Sequence, residues 1–324
     1  MSVSAYELAA AGFGACIGSF LNVVIYRLPQ EEPSQRSLGG RSKCPHCKKS
    51  ISWRDNVPVF GWLMLRGRSR CCRQRISVRY PLVELLTAVM FAVLLRASPH
   101  GAMLVTTELG VSLDWSLLLP TLFDAAFVSF LIASTFIDWD HRILPDALTI
   151  PFMAIGCTLV AFTCPGFAGT IAPGSMSPEL DSILASVFGL AAGYGLCLAI
   201  RNGARPIFGR EAMGFGDVKF MGAIGAFVGW DGALWTFFLG SFTGAIGGLL
   251  HRLVTKDSYV PFGPFLAIGA LLVMFYKAPI HEFVFRTWPE WQRSSPMAVP
   301  FLGGAALISI LALVLVVRRG RRNG

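Results

Sequence analysis

Apolar residues in this chain are gathered into long blocks, without the one-sided stripe of a soluble amphipathic helix. The blocks run Ala5–Tyr26, Pro81–Leu95, Leu117–Ile137, Leu148–Cys164, Ser182–Ile200, Val218–Trp230, Ala233–Leu253, Pro261–Tyr276 and Met297–Val317. A stretch of about 20 apolar residues is long enough to cross a bilayer as a helix. The pattern predicts an all-α polytopic membrane protein of about eight to nine transmembrane helices. The second, sixth and eighth blocks are short, so they require tilt, extension by flanking residues or a re-entrant path.

Composition sharpens this picture. The 324 residues are 54% hydrophobic and only 15% charged, with a mean hydropathy of +0.58, whereas a soluble domain carries about 25% charged residues. The first block has no basic residue before it and Arg27 just after it. It therefore reads as an anchor with its N-terminus outside, and not as a cleavable signal peptide. Nine alternating spans put every one of the 28 Lys and Arg residues on the inner side except Arg96, Lys277, Arg286 and Arg293, as the inward bias of basic residues demands. Topology thus accounts for most of the net charge of +9, and no nucleic-acid surface is needed.

The one sizeable polar stretch, Arg27 to Tyr80, is a basic cytoplasmic loop containing "KCPHCKKSISW" and "RGRSRCCRQRIS". Cys44 and Cys47 form a C-x-x-C pair, and Cys71 and Cys72 follow. In a reducing compartment two cysteine pairs favour a structural zinc site over disulfides. The second pair is adjacent, which disfavours Cys71 as a ligand. Ser69 stands where a second C-x-x-C would begin, and His46 or water is an alternative fourth vertex. Free thiols in a basic loop are the plainer reading. Cys16, Cys157, Cys164 and Cys197 lie in or at the end of apolar blocks, where a small buried hydrophobe is the default.

Two acidic stretches share one membrane face. "FIDWDHRILPDALTIP" ends the third block with Asp138 and carries Asp140 and Asp146 in the turn that follows; "EAMGFGDVKF" delivers Asp217 at the start of the sixth. Two close carboxylates cannot both ionise and share a proton, so one acts as base toward water and the other as acid toward a leaving amine. Gly214 and Gly216, lacking Cβ atoms, allow an extended substrate to approach. Asp146 is the fallback partner of Asp217, or else a helix cap. Lys219 either orients a carboxylate or snorkels to headgroups. The plainer reading of Asp217 is a helix N-terminal cap, but ionisable residues at membrane depth mark functional sites. Asp124, well inside a block, reads as structural and paired with a polar neighbour.

Taken together, "GSFLNVVIYRLP", "CPHC", "ISWRDNVPVFGWLMLRGR", "ISVRYPLVELLT", "IDWDHRILPDALTIP", "GFGDVKFMGAIGAFVGW" and "VPFGPFLAIGAL" resemble the bacterial prepilin peptidases, the type IV leader peptidases, over roughly residues 10 to 275. The resemblance implies an inner-membrane aspartic endopeptidase that removes short basic leaders from prepilins and pseudopilins at the cytoplasmic face. It also implies N-methylation of the new terminus with S-adenosylmethionine, in a region of about residues 10–98. On it Asp138 and Asp217 are the catalytic pair, and Cys44, Cys47 and Cys72 match a zinc-binding set whose fourth member is replaced by Ser69, with Cys71 displaced. The division expected is an anchor (1–27), the cysteine loop (28–80), a peptidase core (115–255), a last shared helix (256–277) and an additional span with a basic tail (278–324). Two rivals are a G-x-G-D protease acting on other membrane proteins and a proton- or cation-coupled transporter. The cysteine loop and "RYPLVE" argue against the first, and the lack of carboxylates near the midplane other than Asp124 argues against the second.

Overall fold

The structure is a computed structural model that describes residues 4–99, 101–107, 110–163, 177–208, 213–255 and 260–294. Helix α1 (Ala5–Arg27) begins at Ser4, whose hydroxyl accepts the Glu7 N–H at 3.3 Å while the Glu7 carboxylate accepts the Ser4 N–H at 2.7 Å. This reciprocal arrangement satisfies two of the amides that a helix start leaves open. Helix α1 packs along α3 (Arg79–Ala97) through small residues. A Cβ at Gly18 would lie 2.7 Å from the Glu84 Cα, and one at Gly14 would lie 2.8 Å from the Thr87 carbonyl. Without a hydrophobic drive between helices in lipid, such close backbone approach is what holds them. Between the two helices lies the cysteine loop with the short helix α2 (Phe60–Met64).

A two-stranded hairpin, β1 (Leu104–Thr107) and β2 (Gly110–Leu113), follows α3. The apolar-block pattern did not anticipate it. Helix α4 (Leu118–His141) then runs through the centre of the core. Its Phe127 and Phe123 stack on Phe227 at 4.5 and 4.7 Å, and Phe130 stacks on Phe152 at 4.3 Å. Asp124, 1% exposed, accepts a hydrogen bond from Ser98 at 2.6 Å, the polar pairing expected of it. Helices α5 (Asp146–Thr163), α6 (Pro178–Phe208), α7 (Phe215–Thr255) and α8 (Gly263–Glu282) complete this unit, which ends within α8 at Phe275.

The sixth and seventh blocks both fall inside α7, which is broken at Gly229 (φ 79°, ψ 177°). The break is a fold-back. A Cβ at Gly193 of α6 would lie 2.3 Å from the Met221 carbonyl and 3.5 Å from the Ala233 Cβ. A straight helix would hold those two residues about 18 Å apart. The positive φ at Gly229 is open to glycine and strained for any other residue.

Among the described residues six helices are long and apolar enough to cross a membrane, and α5 supplies a shorter apolar one over Asp146–Val160. Large apolar side chains such as Leu8, Phe13, Phe238 and Leu249 are more than half exposed, which suits lipid and not water. The chain is a polytopic helical membrane protein. The second unit, Tyr276–Gly324, is described as far as Ser294 and holds the end of α8 and α9 (Trp288–Ser294). The expected span Met297–Val317 lies outside the described residues.

Candidate active site and cysteine cluster

Helix α4 ends because Arg142 takes a left-handed conformation (φ 57°), its N–H closing on the Asp138 carbonyl at 2.9 Å. That cap turns the chain toward Pro145 and α5 and leaves the Asp138 side chain in the last helical turn, 6% exposed. One carboxylate oxygen, Oδ2, accepts the N–H of Gly263 at 2.9 Å. Gly263 is the first residue of α8, so this amide has no intrahelical partner and its dipole favours a negative charge in front of it. The fit admits only glycine: a Cβ there would lie 2.6 Å from Oδ2 and 3.1 Å from Cγ.

Asp217 lies in the first turn of α7, and its carboxylate bonds back to the backbone of Gly214. It therefore does serve as a cap, as the plainer reading held. It is also brought to Asp138. A Cβ at Gly216 would lie 3.1 Å from the Leu144 Cβ and 3.4 Å from its nitrogen. The missing side chain thus lets the start of α7 close on the turn that follows Asp138, and the two carboxylates feel one another's charge. Gly214 faces the same carboxylate, a Cβ there falling 3.1 Å from Asp217 Oδ2.

The remaining polar residues of the region are engaged elsewhere. Lys219 donates to Asp146 at 2.6 Å, and its ammonium lies 4.8 Å from the Phe215 ring centre. Of the two readings of Lys219, the carboxylate it meets is that of Asp146, which is itself exposed. The Arg201 guanidinium lies 5.3 Å from the same ring. Asp140 forms an ion pair with Arg79 at the start of α3, a junction the sequence did not signal. Gly263 was missed as well. Its only trace in the sequence is the Gly-Pro pair of "FGPF", a helix-start signature.

The cysteine loop is built from two matching turns. In the first, the Cys44 N–H bonds the Lys49 carbonyl, the Lys48 N–H bonds the Cys44 carbonyl, and Lys48 has φ 59°. In the second, the Ser69 N–H bonds the Gln74 carbonyl, the Arg73 N–H bonds the Ser69 carbonyl, and Arg73 has φ 60°. Ser69 thus occupies the place of Cys44, and Cys72 that of Cys47. The sulfurs of Cys44, Cys47, Cys71 and Cys72 all lie within 4.8 Å of one another. Cys44 is 3.7 Å from Cys72, and Cys47 is 3.2 Å from Cys71. Adjacency to Cys72 does not keep Cys71 out of the cluster, because the turn sends the two neighbouring side chains to one centre. Ser69 Oγ lies 3.0 Å from Cys72 Sγ, and His46 is exposed. A tetrahedral zinc with bonds of about 2.3 Å separates its sulfurs by about 3.8 Å, so the four thiols fit the ion. Backbone N–H groups of Cys47 and, less strongly, His46 pull the Cys44 thiol down to about 6, toward the thiolate a metal needs.

Comparison with known proteins agrees with these features. The model of the type IV leader peptidase family matches residues 125–249 and spans both aspartates, and the bacterial peptidase A24 N-terminal domain matches residues 13–97. A prepilin leader peptidase/N-methyltransferase of Aeromonas hydrophila is 35% identical over 289 residues, 82% of this chain and 88% of the relative. The chain belongs to the type IV leader peptidase family. A protein of the same description from Pectobacterium carotovorum is 33% identical over 81% of this chain and 90% of its own length. A "Type 4 prepilin-like proteins leader peptide-processing enzyme" of Escherichia coli is 35% identical over 84% and 94%. No solved structure matches the chain. The family and the apolar helices make this a multi-pass protein of the inner membrane, an enzyme that needs a methyl donor for its second activity.

Proposed function

We propose that this leader peptidase cleaves the leaders of prepilins and pseudopilins with Asp138 and Asp217 as its catalytic pair, at the cytoplasmic face of the membrane. The observation that carries this reading is the convergence at one point of three elements: the capped end of α4 with Asp138, the amide of Gly263 at the start of α8, and the Gly214–Asp217 turn of α7. One carboxylate of the pair takes a proton from the attacking water. The other gives its proton to the leaving nitrogen. Because coupled carboxylates titrate as a pair, the acid and base roles belong to the pair and not to one residue. The Gly263 amide holds Asp138 Oδ2 in place, which favours reaction at its other oxygen. Gly214 keeps a side chain away from the Asp217 carboxylate and Gly216 lets the start of α7 close on the turn after Asp138, while Lys219 and Asp146 hold the mouth of α5 and α7 together without touching the reacting bond.

The same reading gives the N-terminal half, about residues 10–98, the methyl transfer, with S-adenosylmethionine as the donor of an electrophilic methyl group. A zinc ion on Cys44, Cys47, Cys71 and Cys72 fits as a structural closure of the loop. The extent of the peptidase core, about residues 115–255, follows the matched family region but must include Gly263 as well.

The test is incubation of the membrane-embedded enzyme with a synthetic prepilin and isotopically labelled S-adenosylmethionine, followed by mass spectrometry. Asp138→Asn and Asp217→Asn are each expected to lower cleavage by at least about a thousandfold, the scale of losing one partner of an acid–base pair, with insertion intact. Methylation of a pre-cleaved substrate should persist in both. Cleavage at the native rate by either variant would overturn the assignment. Asp146→Asn is expected to retain activity.

A further inference from the structure

We propose that the segment Trp53–Met64 is an interfacial wedge, lying in the headgroup layer of the bilayer and binding phospholipid there. Three independent features of the segment converge on this.

The first is depth. Helix α3 has 19 residues, about 28 Å, against a hydrocarbon core of about 30 Å. It has no slack, so Arg79 must lie at the edge of the apolar layer and Glu84 inside it, in the second turn. The Glu84 carboxylate accepts the N–H of Val59 at 2.7 Å and also bonds Ser19 of α1. The loop is thereby tethered below the ends of both helices.

The second is strain. Val59 has φ 62° and ψ −54°, and the Phe60 N–H bonds the Pro58 carbonyl at 2.6 Å. This is a three-residue turn with positive φ, rarely adopted, and a β-branched side chain makes it worse. Such a turn persists only where its surroundings hold it, and Glu84 is the holder that the structure provides.

The third is the outward face. Trp62 turns inward, its Nε1–H bonding the Ile76 carbonyl at 3.1 Å, and Gly61 closes on the Asp55 carbonyl, 2.4 Å from where its Cβ would be. Trp53, Phe60, Leu63 and Met64 then point outward with 75%, 66%, 55% and 77% of their surfaces exposed. Four such side chains on a 12-residue piece are unfavourable in water but suit the boundary of a bilayer, where Trp is favoured. Arg54 and Arg66 flank them, both exposed, matching anionic headgroups. Depth and charge together select lipid over a protein partner.

Photocrosslinking tests the proposal on the full chain, reconstituted in nanodiscs of phosphatidylethanolamine and phosphatidylglycerol. A benzophenone amino acid replaces Phe60, Met64 or, as a reference in the same loop, the exposed Gln35. Intact mass after irradiation is expected to show phospholipid adducts at 60 and 64 at least about fivefold above those at 35, as membrane insertion of the apolar face requires. Equal yields at the three positions, or crosslinks from 60 and 64 to a second protein chain, would overturn it. Glu84→Leu, which removes the tether, is expected to lower the adduct at 60 several-fold. An unchanged yield would show that Glu84 does not set the depth.

Discussion

Gly263 shows how much a single hydrogen atom in place of a methyl can decide. It donates its amide to Asp138 Oδ2, and a methyl group in the same place would press on that carboxylate at 2.6 Å. Gly263→Ala is therefore expected to lower cleavage by about tenfold or more, through a misplaced carboxylate, while methylation of a pre-cleaved substrate stays near native. Equal loss of both activities would indicate a general folding defect instead. Ser69 is the second telling residue. Since its backbone repeats that of Cys44, Cys71→Ser should weaken zinc retention in metal analysis of the purified protein, because structural sites close with four protein ligands. The double variant Ser69→Cys, Cys71→Ser should restore it, by moving the fourth thiol to the place the turn prepares. Full zinc retention in Cys71→Ser alone would remove Cys71 from the ligand set.

Among the elements, α6 and α7 depend on each other most closely. A Cβ at Gly189 would lie 2.1 Å from the Gly225 carbonyl, and Ser186 donates to the Ala226 carbonyl across the same seam. Backbone atoms cannot swing away as a flexible side chain can, so Gly189→Leu must separate the helices. The expected cost is on the order of 1–3 kcal/mol or more, read as a lower melting temperature and less folded protein in the membrane. Gly216→Leu differs: its Cβ meets Leu144 at 3.1 Å, a milder overlap than the 2.1 Å backbone clash at Gly189. It should reduce cleavage more than it reduces stability. The block pattern foretold most of these helices within a few residues, because length and apolarity alone select what can cross a bilayer. It also separated Val218–Trp230 from Ala233–Leu253 as two alternating spans, and the fold-back at Gly229 is that separation, although the pattern did not single out Gly229 as the hinge.

At the scale of the whole molecule the proposed orientation rests on the distribution of basic residues. If the cysteine loop and both aspartates lie on the cytoplasmic side as proposed, trypsin added to inside-out vesicles should cut after exposed residues such as Arg41, Lys48 and Lys49. Right-side-out vesicles should protect them. The opposite pattern would invert the topology and move the catalytic pair to the wrong face for its substrate.

The sequence by itself determined the class of the molecule, the likeness to leader peptidases and the identity of its candidate aspartates. Each of these rests on local information: the length of an apolar run, the balance of Lys and Arg on either side of it, a short motif. Tertiary structure decided what requires two distant segments to meet. It brought the Gly263 amide to Asp138 across 125 positions of chain and paired Arg79 with Asp140. It also admitted Cys71 to a cluster from which its adjacency to Cys72 argued it away. Spacing along the chain records which side chains are available, but the direction in which a side chain points is set by backbone dihedrals. Those at Lys48, Arg73 and Arg142, all with positive φ, carry no glycine to announce them.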